Sequence, residues 1–278
     1  MRSFPSVTQE RVARLSAFLG RRVLGGGVFR CRHAAACRAS RPSIPFFEGQ
    51  LHHVGKHYDL DVDGRPLRIA VLAQDYGHGE RHVDMARRSE MIEFSASLRF
   101  TDRRRNPHMN GTASTLRLLL GREPGRDRGG ELLDLGTNAH VFDAFALVNF
   151  LMCSAIRPDG KDREHFDSNF TGGGKSDASP VMRRNCSEYL RPVLEILEPT
   201  VLVIQGQGVR SWASKPLGLP EAGSVLSRIV IGRAPVDVFA FDHPSAPGKS
   251  GWWGSTPDKP YLRDVVAPAI RAWRSTRR

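Results

Sequence analysis

The sequence predicts an α/β fold: a three-layer α/β/α sandwich with a central, mainly parallel sheet of four strands. Four short apolar runs, each typical of a buried strand, alternate with stretches in which apolar residues recur every three or four positions, as in helices. Each apolar run is followed by polar residues or glycine. That pattern is expected where parallel strands end in ligand-binding loops.

The predicted elements follow one another along the chain in this alternating order. We expect strands at 67–72, at the end of 141–153, at 200–204 and at 236–241, and helices at 9–19, 113–120, 182–197 and 261–273. Two segments rich in glycine and aspartate, 122–130 and 158–179, are typical of long loops. We divide the chain into an N-terminal arm, residues 1–45, and a main domain, residues 46–278.

The charge balance predicts a polyanionic partner. The 278 residues contain 41 Lys and Arg against 29 Asp and Glu, which gives a formal net charge of +12. Such an excess is typical of proteins that bind nucleic acid. No apolar run approaches the roughly 20 residues of a membrane span, and the composition excludes collagen, a coiled coil and global disorder.

Four cysteines bear on both location and cofactor: Cys31, Cys37, Cys153 and Cys186. No signal-peptide pattern precedes them, so we expect a reducing, cytoplasmic setting. In that setting four thiols are either ligands of a metal or cluster or unrelated buried side chains.

Two further patterns are weaker. Lys175-Ser176 follows three glycines, as at the end of a phosphate-binding loop, but Asn169 stands where that motif requires its first glycine, which disfavours nucleotide hydrolysis. His78 and His82, with His52, His53 and His57 nearby, have metal-ligating chemistry. Since no helix or catalytic acid accompanies them, we expect solvated loop histidines.

Four segments near predicted strands carry the strongest functional signal. They are Ala73-Gln74-Asp75-Tyr76-Gly77 after the first strand, Asn149 four residues before Cys153, the stretch from Cys186 through a helix to Glu198-Pro199 and the third strand, and His243-Pro244-Ser245 after the last strand. In order and spacing they resemble the motifs of the uracil-DNA glycosylase superfamily, in particular its iron-sulfur branch found in prokaryotes. The resemblance covers roughly residues 31–270.

The resemblance implies a catalytic set of Asp75, Asn149 and His243. Asn149 would read a flipped uracil through its amide, His243 would stabilise the departing base, and Asp75 would position a water. Each of these three residues also has a structural alternative. Asn149 would cap the backbone at a strand end, His243 would precede a proline in a turn, and Asp75 would cap the turn before Tyr76 and Gly77.

The resemblance also implies the surroundings of that set. Gln74, Tyr76, Gly77, His108 and Met109 would join Asn149 in contacting the base, with His108 or Met109 stacking on it, and Ser245, Lys249 and Trp252 would contact DNA. Gly77 takes the place of the residue expected to exclude the thymine methyl, which leaves the base preference open. Paired Trp252 and Trp253 are typical of either a DNA wedge or a core anchor.

In the family's iron-sulfur branch, two cluster ligands lie near the N-terminus and two flank a helix after the second motif. These positions match Cys31 and Cys37, then Cys153 and Cys186, and imply a [4Fe-4S] cluster. A zinc site made of the same four thiolates is the alternative.

The sequence therefore predicts a DNA repair glycosylase that flips and hydrolytically excises uracil, or a related damaged base, from single- or double-stranded DNA. We expect a monomer that does not associate with membranes. The alternative is a catalytically silent iron-sulfur protein of the same fold that binds DNA or a base. A phosphate-handling protein built around Lys175 is a more distant third.

Overall fold

A computed structural model describes residues 1–75, 77–98, 105–157, 175–221 and 223–277 of a mixed α/β protein. Its strands, in chain order, are β1 (Arg2–Ser3), β2 (Leu24–Gly25), β3 (Val28–Phe29), β4 (Phe46–Glu48), β5 (His53–Val54), β6 (Leu60–Val62), β7 (Arg65–Leu67), β8 (Ile69–Ala73), β9 (Phe145–Asn149), β10 (Cys153–Arg157), β11 (Lys175–Ser176), β12 (Val201–Gln205), β13 (Leu226–Ile231) and β14 (Ala234–Phe241). Its helices are α1 (Pro5–Arg22), α2 (Ala34–Ala39), α3 (Met85–Ser97), α4 (Pro107–Leu119), α5 (Pro180–Leu197), α6 (Gln207–Leu217) and α7 (Ala267–Thr276).

The largest sheet has six strands in the order β13-β14-β12-β8-β9-β5. Its four inner strands, β14, β12, β8 and β9, are parallel, and the two edge strands are antiparallel to their neighbours. The inner strands are the four that the sequence predicts. They form because each is an apolar run that is buried along most of its length, as parallel strands require.

The predicted count of four strands is incomplete, because the sheet has two antiparallel edge strands as well. β5 contains only His53 and Val54, which is too short to leave a periodic pattern in the sequence. β13 has polar Ser227 and Arg228 in its first half, so its apolar character is interrupted. Edge strands face solvent on one side and therefore lack the continuous apolar runs of the inner strands.

Two core clusters use alternate residues of the inner strands. Ala70 and Leu72 belong to the first cluster, which includes side chains of α1, α5 and α6. Ile69 and Val71 belong to the second, with side chains of α4 and α7. Since successive side chains of a strand point to opposite faces, the clusters lie on the two faces of the sheet.

The four predicted helices are all present, as α1, α4, α5 and the C-terminal helix, in which a π-helical turn (Leu262–Val266) precedes α7. The sequence did not predict α2, α3 and α6. α6 begins at Gln207, three residues after the predicted strand 200–204 ends.

The N-terminal arm packs on the rest of the chain. Leu15 and Leu19 of α1 are fully buried in the first core cluster. Arg11 forms a buried ion pair with Asp59, 3.1 Å between Nη2 and Oδ1, and donates to the carbonyl oxygen of Ile196 at the end of α5. The domain boundary at residue 45 stays a prediction.

Among the helices in the described ranges, none combines the length and the apolar character needed to cross a membrane.

Candidate functional site

The carboxyl ends of the inner strands bring three predicted catalytic residues to the same end of the sheet. Ala73, two residues before Asp75, pairs with Asn149 across β8 and β9. Phe241, two residues before His243, pairs with Gln205 at the end of β12. Three strand spacings, roughly 14 Å, therefore separate the backbones that carry Asn149 and His243. The interval is wide enough for a nucleobase and the two side chains that would contact it.

Asn149 presents a free amide oxygen. The residue is 1% exposed, and its Nδ2 donates to the carbonyl oxygens of Gln50 at 3.4 Å and Leu51 at 3.2 Å. These two acceptors fix the orientation of the amide, because only a nitrogen can donate to them. Oδ1 is buried without a hydrogen-bond partner in the described parts of the chain. Since a buried polar atom without a partner is costly, Oδ1 is a candidate ligand acceptor.

Asp75 is held by Ser176. The Ser176 hydroxyl donates to Oδ2 of Asp75 at 2.6 Å, and Nε2 of Gln74 donates to the same hydroxyl at 2.8 Å. Burial raises the pKa of Asp75 above that of an ordinary aspartate, against the opposing effect of the Ser176 hydrogen bond. Ser176 could not be predicted as a partner of Asp75, because it follows a long glycine-rich segment and lies on β11, a strand of two residues.

His243 has a defined tautomer. The backbone N–H of Ser245 donates to Nδ1 of His243 at 3.1 Å, so the ring proton of the neutral imidazole lies on Nε2. Burial lowers the pKa of His243, which keeps the ring neutral near pH 7. Ser245, which the sequence predicts as a DNA contact, thus acts on the site through its backbone.

The imidazole ring of His108 stacks on that of His243. The two ring centroids are 5.1 Å apart and the planes differ by 9°. Burial, and next the proximity of His243, lower the pKa of His108 to about 3. Met109, the other predicted stacking residue, is 5% exposed and packs in the second core cluster.

Close packing of α4 against the loop after β14 produces that stack. Asn106 caps α4 by accepting from the N–H of Met109 at 2.9 Å. Gly111 lies so close to the loop that a Cβ there would be 2.6 Å from Cβ of Pro244. The absent side chain therefore allows His108 and His243 to meet.

The two tryptophans in the loop after His243 differ in burial. Trp253 is fully buried and donates through Nε1 to the carbonyl oxygen of Asp242 at 2.9 Å, so it anchors the loop to the core. Trp252 is 48% exposed and adopts a left-handed backbone conformation, φ = 54°. That conformation is rare for a large side chain and is found where the surrounding structure enforces it. Lys249 is exposed in the same loop.

Part of the predicted base pocket cannot be placed. Tyr76 lies outside the described residues, as do residues 158–174, which include Asn169. Gly77 has φ = 73°, a conformation that favours glycine, and among the described residues a Cβ there would meet only Oδ1 of Asp75, at 4.0 Å. Gly77 therefore leaves the base preference open, as the sequence indicates.

All four cysteines line one small cavity between α2, β10 and α5. Cys31 precedes α2, Cys37 lies on it, Cys153 begins β10 and Cys186 lies on α5. The remaining wall is mostly apolar, with Met152 and Met182 among its side chains. Residues more than a hundred positions apart in sequence thus meet at one place, an arrangement that unrelated buried cysteines do not require.

Each of the four sulfurs has a hydrogen-bonding neighbour. The Tyr189 hydroxyl is 3.5 Å from Sγ of Cys31, and Nδ2 of Asn185 donates to Sγ of Cys37 at 3.4 Å. Burial raises the pKa values of Cys153 and Cys186, and backbone hydrogen bonds from Gly49 and Met152, respectively, partly oppose that rise. Donors of this kind favour thiolates.

Burial dominates the acid-base chemistry of the Cys153 and Cys186 thiols. It raises the pKa of Cys186 to about 12 and that of Cys153 well above the ordinary value, and the other cysteines nearby add to both shifts. These two thiols are therefore protonated at neutral pH unless a cation compensates their charge. Within the described ranges, no three His, Cys, Asp or Glu side chains form a group that could hold a metal ion as they stand.

The expectation of solvated loop histidines is wrong for His52 and His53. His52 is fully buried and His53 is 4% exposed, because both belong to the segment that pairs with β9. Burial lowers the pKa of His52 to about 3 and that of His53 to about 4. His82 is exposed, and its Nε2 lies 3.3 Å from Oε1 of Glu48.

Comparison of the chain with protein-family models and with curated proteins found no match.

Proposed function

We propose that this protein is a DNA glycosylase that flips uracil, or a related damaged base, out of DNA and hydrolyses the bond between base and deoxyribose. The proposal includes a three-layer α/β/α scaffold of the uracil-DNA glycosylase type, with six strands in place of the expected four. The observation that carries it is the placement of three residues at the same end of the parallel strands: Asn149, whose amide oxygen has no partner among the described residues, a neutral His243 and a half-buried Asp75.

The recognition step rests on Asn149. Its buried Oδ1 accepts the N3–H of uracil, whereas cytosine has an acceptor at N3 and would leave two acceptors facing each other. A base must be flipped out of the duplex to reach Asn149, because this residue is only 1% exposed. The amide thus discriminates between the two pyrimidines at their central ring nitrogen.

The bond-breaking step rests on His243 and Asp75. Negative charge develops on the departing base, and Nε2–H of His243 is available to donate to its O2. The Asp75 carboxylate positions the attacking water and stabilises the cationic sugar. Ser176 restrains this carboxylate, so its orientation is set before the substrate binds.

The proposed cofactor is a [4Fe-4S] cluster held by Cys31, Cys37, Cys153 and Cys186. The chemistry of the donor set fits this group, since four thiols share one apolar cavity and hydrogen-bond donors reach their sulfurs. When bound, the cluster supplies a structural connection between the N-terminal arm and the sheet. Zinc on the same thiolates remains the alternative occupant.

A cleavage assay tests the activity. Protein is incubated with an oligonucleotide containing one uracil, followed by alkali, which breaks the strand at an abasic site. We expect cleavage by the wild type, and a loss of about 10²–10⁴-fold in Asp75→Asn, which keeps the shape of the side chain and removes its charge. Asn149→Asp should lower uracil excision by orders of magnitude. Asn138→Asp is the matched control, because Asn138 is exposed and outside the site.

Two outcomes would contradict the activity. Absence of abasic product from uracil, deaminated-purine and alkylated substrates would leave the silent DNA- or base-binding protein as the better hypothesis. Equal activity of Asp75→Asn and wild type would exclude the assigned role of the carboxylate.

Elemental analysis of anaerobically purified protein tests the cofactor. A [4Fe-4S] cluster requires about 4 Fe per chain and gives a brown protein. Zinc in place of iron would support the alternative occupant and contradict the cluster.

A further inference from the structure

His52 is a buried histidine whose ring has one satisfied and one unsatisfied nitrogen. The backbone N–H of Asn149 donates to Nδ1 of His52 at 3.1 Å. Nδ1 therefore acts as an acceptor, and the proton of the neutral ring lies on Nε2. Nε2 is buried and has no hydrogen-bond partner among the described residues. Within the described ranges, this N–H donor is thus kept out of water without an acceptor.

His52, which carries the unsatisfied donor, is hydrogen-bonded to Asn149, which carries the unsatisfied acceptor of the base pocket. His52 bonds to the backbone of Asn149, whose Oδ1 is also buried and without a partner in the described parts of the chain. An unpaired donor and an unpaired acceptor on two hydrogen-bonded residues indicate a ligand that carries the complementary acceptor and donor.

The Asn149 amide cannot supply this donor itself. Both hydrogens of its Nδ2 are directed at the carbonyl oxygens of Gln50 and Leu51, which leaves none for a base. Gln50 cannot supply it either, since its Nε2 donates to the carbonyl oxygens of His78 and Glu80. His52 is therefore the donor that accompanies the Asn149 oxygen.

We propose that His52 reads the base directly, by donating from Nε2 to the O4 oxygen of uracil beside the N3–H that Asn149 accepts. Uracil presents an acceptor, a donor and an acceptor at O4, N3 and O2. His52, Asn149 and His243 supply the complementary donor, acceptor and donor. The inference rests on the proposed function and adds a specificity-determining residue to it.

Two substitutions at His52 separate reading of the base from support of Asn149. His52→Asn keeps an acceptor at the δ position, where it can receive the Asn149 N–H, and removes the ε donor. His52→Gln keeps a donor at the ε position and loses the δ acceptor. His53→Asn is the control for the substitution itself, because both ring nitrogens of His53 already have partners, Ser89 and the carbonyl oxygen of Phe142.

The substrate pair is uracil and 4-thiouracil at the same position of one oligonucleotide, because sulfur is a weak hydrogen-bond acceptor. We expect His52→Asn to lower uracil excision by roughly tenfold to a hundredfold, the usual effect of losing one buried hydrogen bond, and to change 4-thiouracil excision little. His52→Gln should retain more uracil activity than His52→Asn. The affinity for free uracil, measured at equilibrium, should likewise be lower in His52→Asn than in His52→Gln.

Several outcomes overturn the inference. Equal losses on the two substrates, or losses matched by His53→Asn, would show that His52 acts only through the structure. Normal uracil excision by His52→Asn would exclude His52 as a reader while leaving the glycosylase proposal intact. A wild-type protein that binds uracil without excising it would contradict the proposed function alone, and the binding arm would still decide the role of His52. Neither binding nor excision by the wild type would contradict both.

Discussion

Burial moves the pKa values of His243 and Asp75 in opposite directions. It lowers the pKa of His243, so the neutral ring persists to a lower pH than in an exposed histidine. It raises the pKa of Asp75, so this carboxylate accepts a proton at a higher pH than an ordinary aspartate. In the proposed mechanism, protonation of Asp75 therefore limits activity on the acid side.

The pH profile of uracil excision should show this limit. We expect a rate that falls on acidification as Asp75 is protonated, beginning above the pH at which an exposed aspartate titrates. Single-turnover rates between pH 4 and pH 9 measure the profile. Ser176→Ala removes a hydrogen bond that favours the ionised carboxylate and should shift the acid limb to higher pH. An unshifted limb would mean that another group controls it.

At the scale of single residues, the sequence identified the motif positions but not their partners. Asn149 and His243 follow apolar runs, so their place at a strand end could be read from the pattern. His52, Ser176 and the Ser245 backbone could not, because their roles depend on contacts between distant segments. A histidine before a two-residue edge strand has no local pattern that distinguishes it from a solvated one.

At the scale of elements, a buried ionic network holds the start of α4. Glu131 accepts from Nη1 of Arg105 at 2.9 Å and from Nε2 of His140 at 3.0 Å, and each of the three residues is less than 5% exposed. The carbonyl oxygen of Arg105 in turn accepts from Nδ2 of Asn110, at 3.2 Å. The network thus fixes the helix turn that carries His108.

Glu131→Gln should destabilise the protein strongly. Removing the negative charge leaves the buried Arg105 without its counter-ion, and breaking a buried pair typically costs about 3–5 kcal/mol of unfolding free energy. Asp264→Asn is the control, because the Arg263–Asp264 pair is exposed and should contribute little to stability. Urea denaturation measures both. A loss in Glu131→Gln as small as that in the control would exclude a stabilising role for the network.

The two adjacent tryptophans should respond in different assays. Trp253→Ala removes a fully buried ring and should cost about 3–5 kcal/mol of unfolding free energy. Trp252→Ala should change stability by less than about 0.5 kcal/mol, because the ring is half exposed, and should weaken DNA binding if the ring contacts a base step. Thermal unfolding and DNA titration of both variants provide the test. Unaltered DNA affinity in Trp252→Ala would contradict the predicted wedge.

The inner strands and the four amphipathic helices could be predicted because burial leaves a periodic pattern in the sequence. β13, β5 and α3 could not. β13 and β5 lie at sheet edges, and α3 mixes charged residues such as Arg87 and Glu90 with its few buried apolar side chains. Elements of this kind are specified by their tertiary contacts more than by their own residues.

At the scale of the whole molecule, the net charge of +12 predicts electrostatic binding of DNA. The equilibrium constant should fall steeply with salt, with a log-log slope of about −0.9 for each phosphate neutralised on duplex. Lys249→Gln should reduce the slope by about 1. Lys56→Gln is the control, since Lys56 is exposed beside Asp143 at the opposite edge of the sheet. A binding constant that does not change between low and moderate salt would refute this prediction.

The four-cysteine cavity has a consequence for the way the chain unfolds. A group bound by all four thiols is a cross-link between a segment before the main sheet and two elements that follow its strand β9. Closing a loop of roughly 100 residues lowers the entropy of the unfolded chain by an amount equivalent to about 4–5 kcal/mol in the chain-entropy model. If the proposed cluster or zinc occupies the cavity, chelation or Cys186→Ser should therefore lower the unfolding midpoint in urea far more than Ser187→Ala, the neighbouring control. The same cross-link would make refolding depend on the order in which chain closure and binding of the proposed group occur, so protein unfolded in the absence of that group should recover slowly even where its sheet is stable.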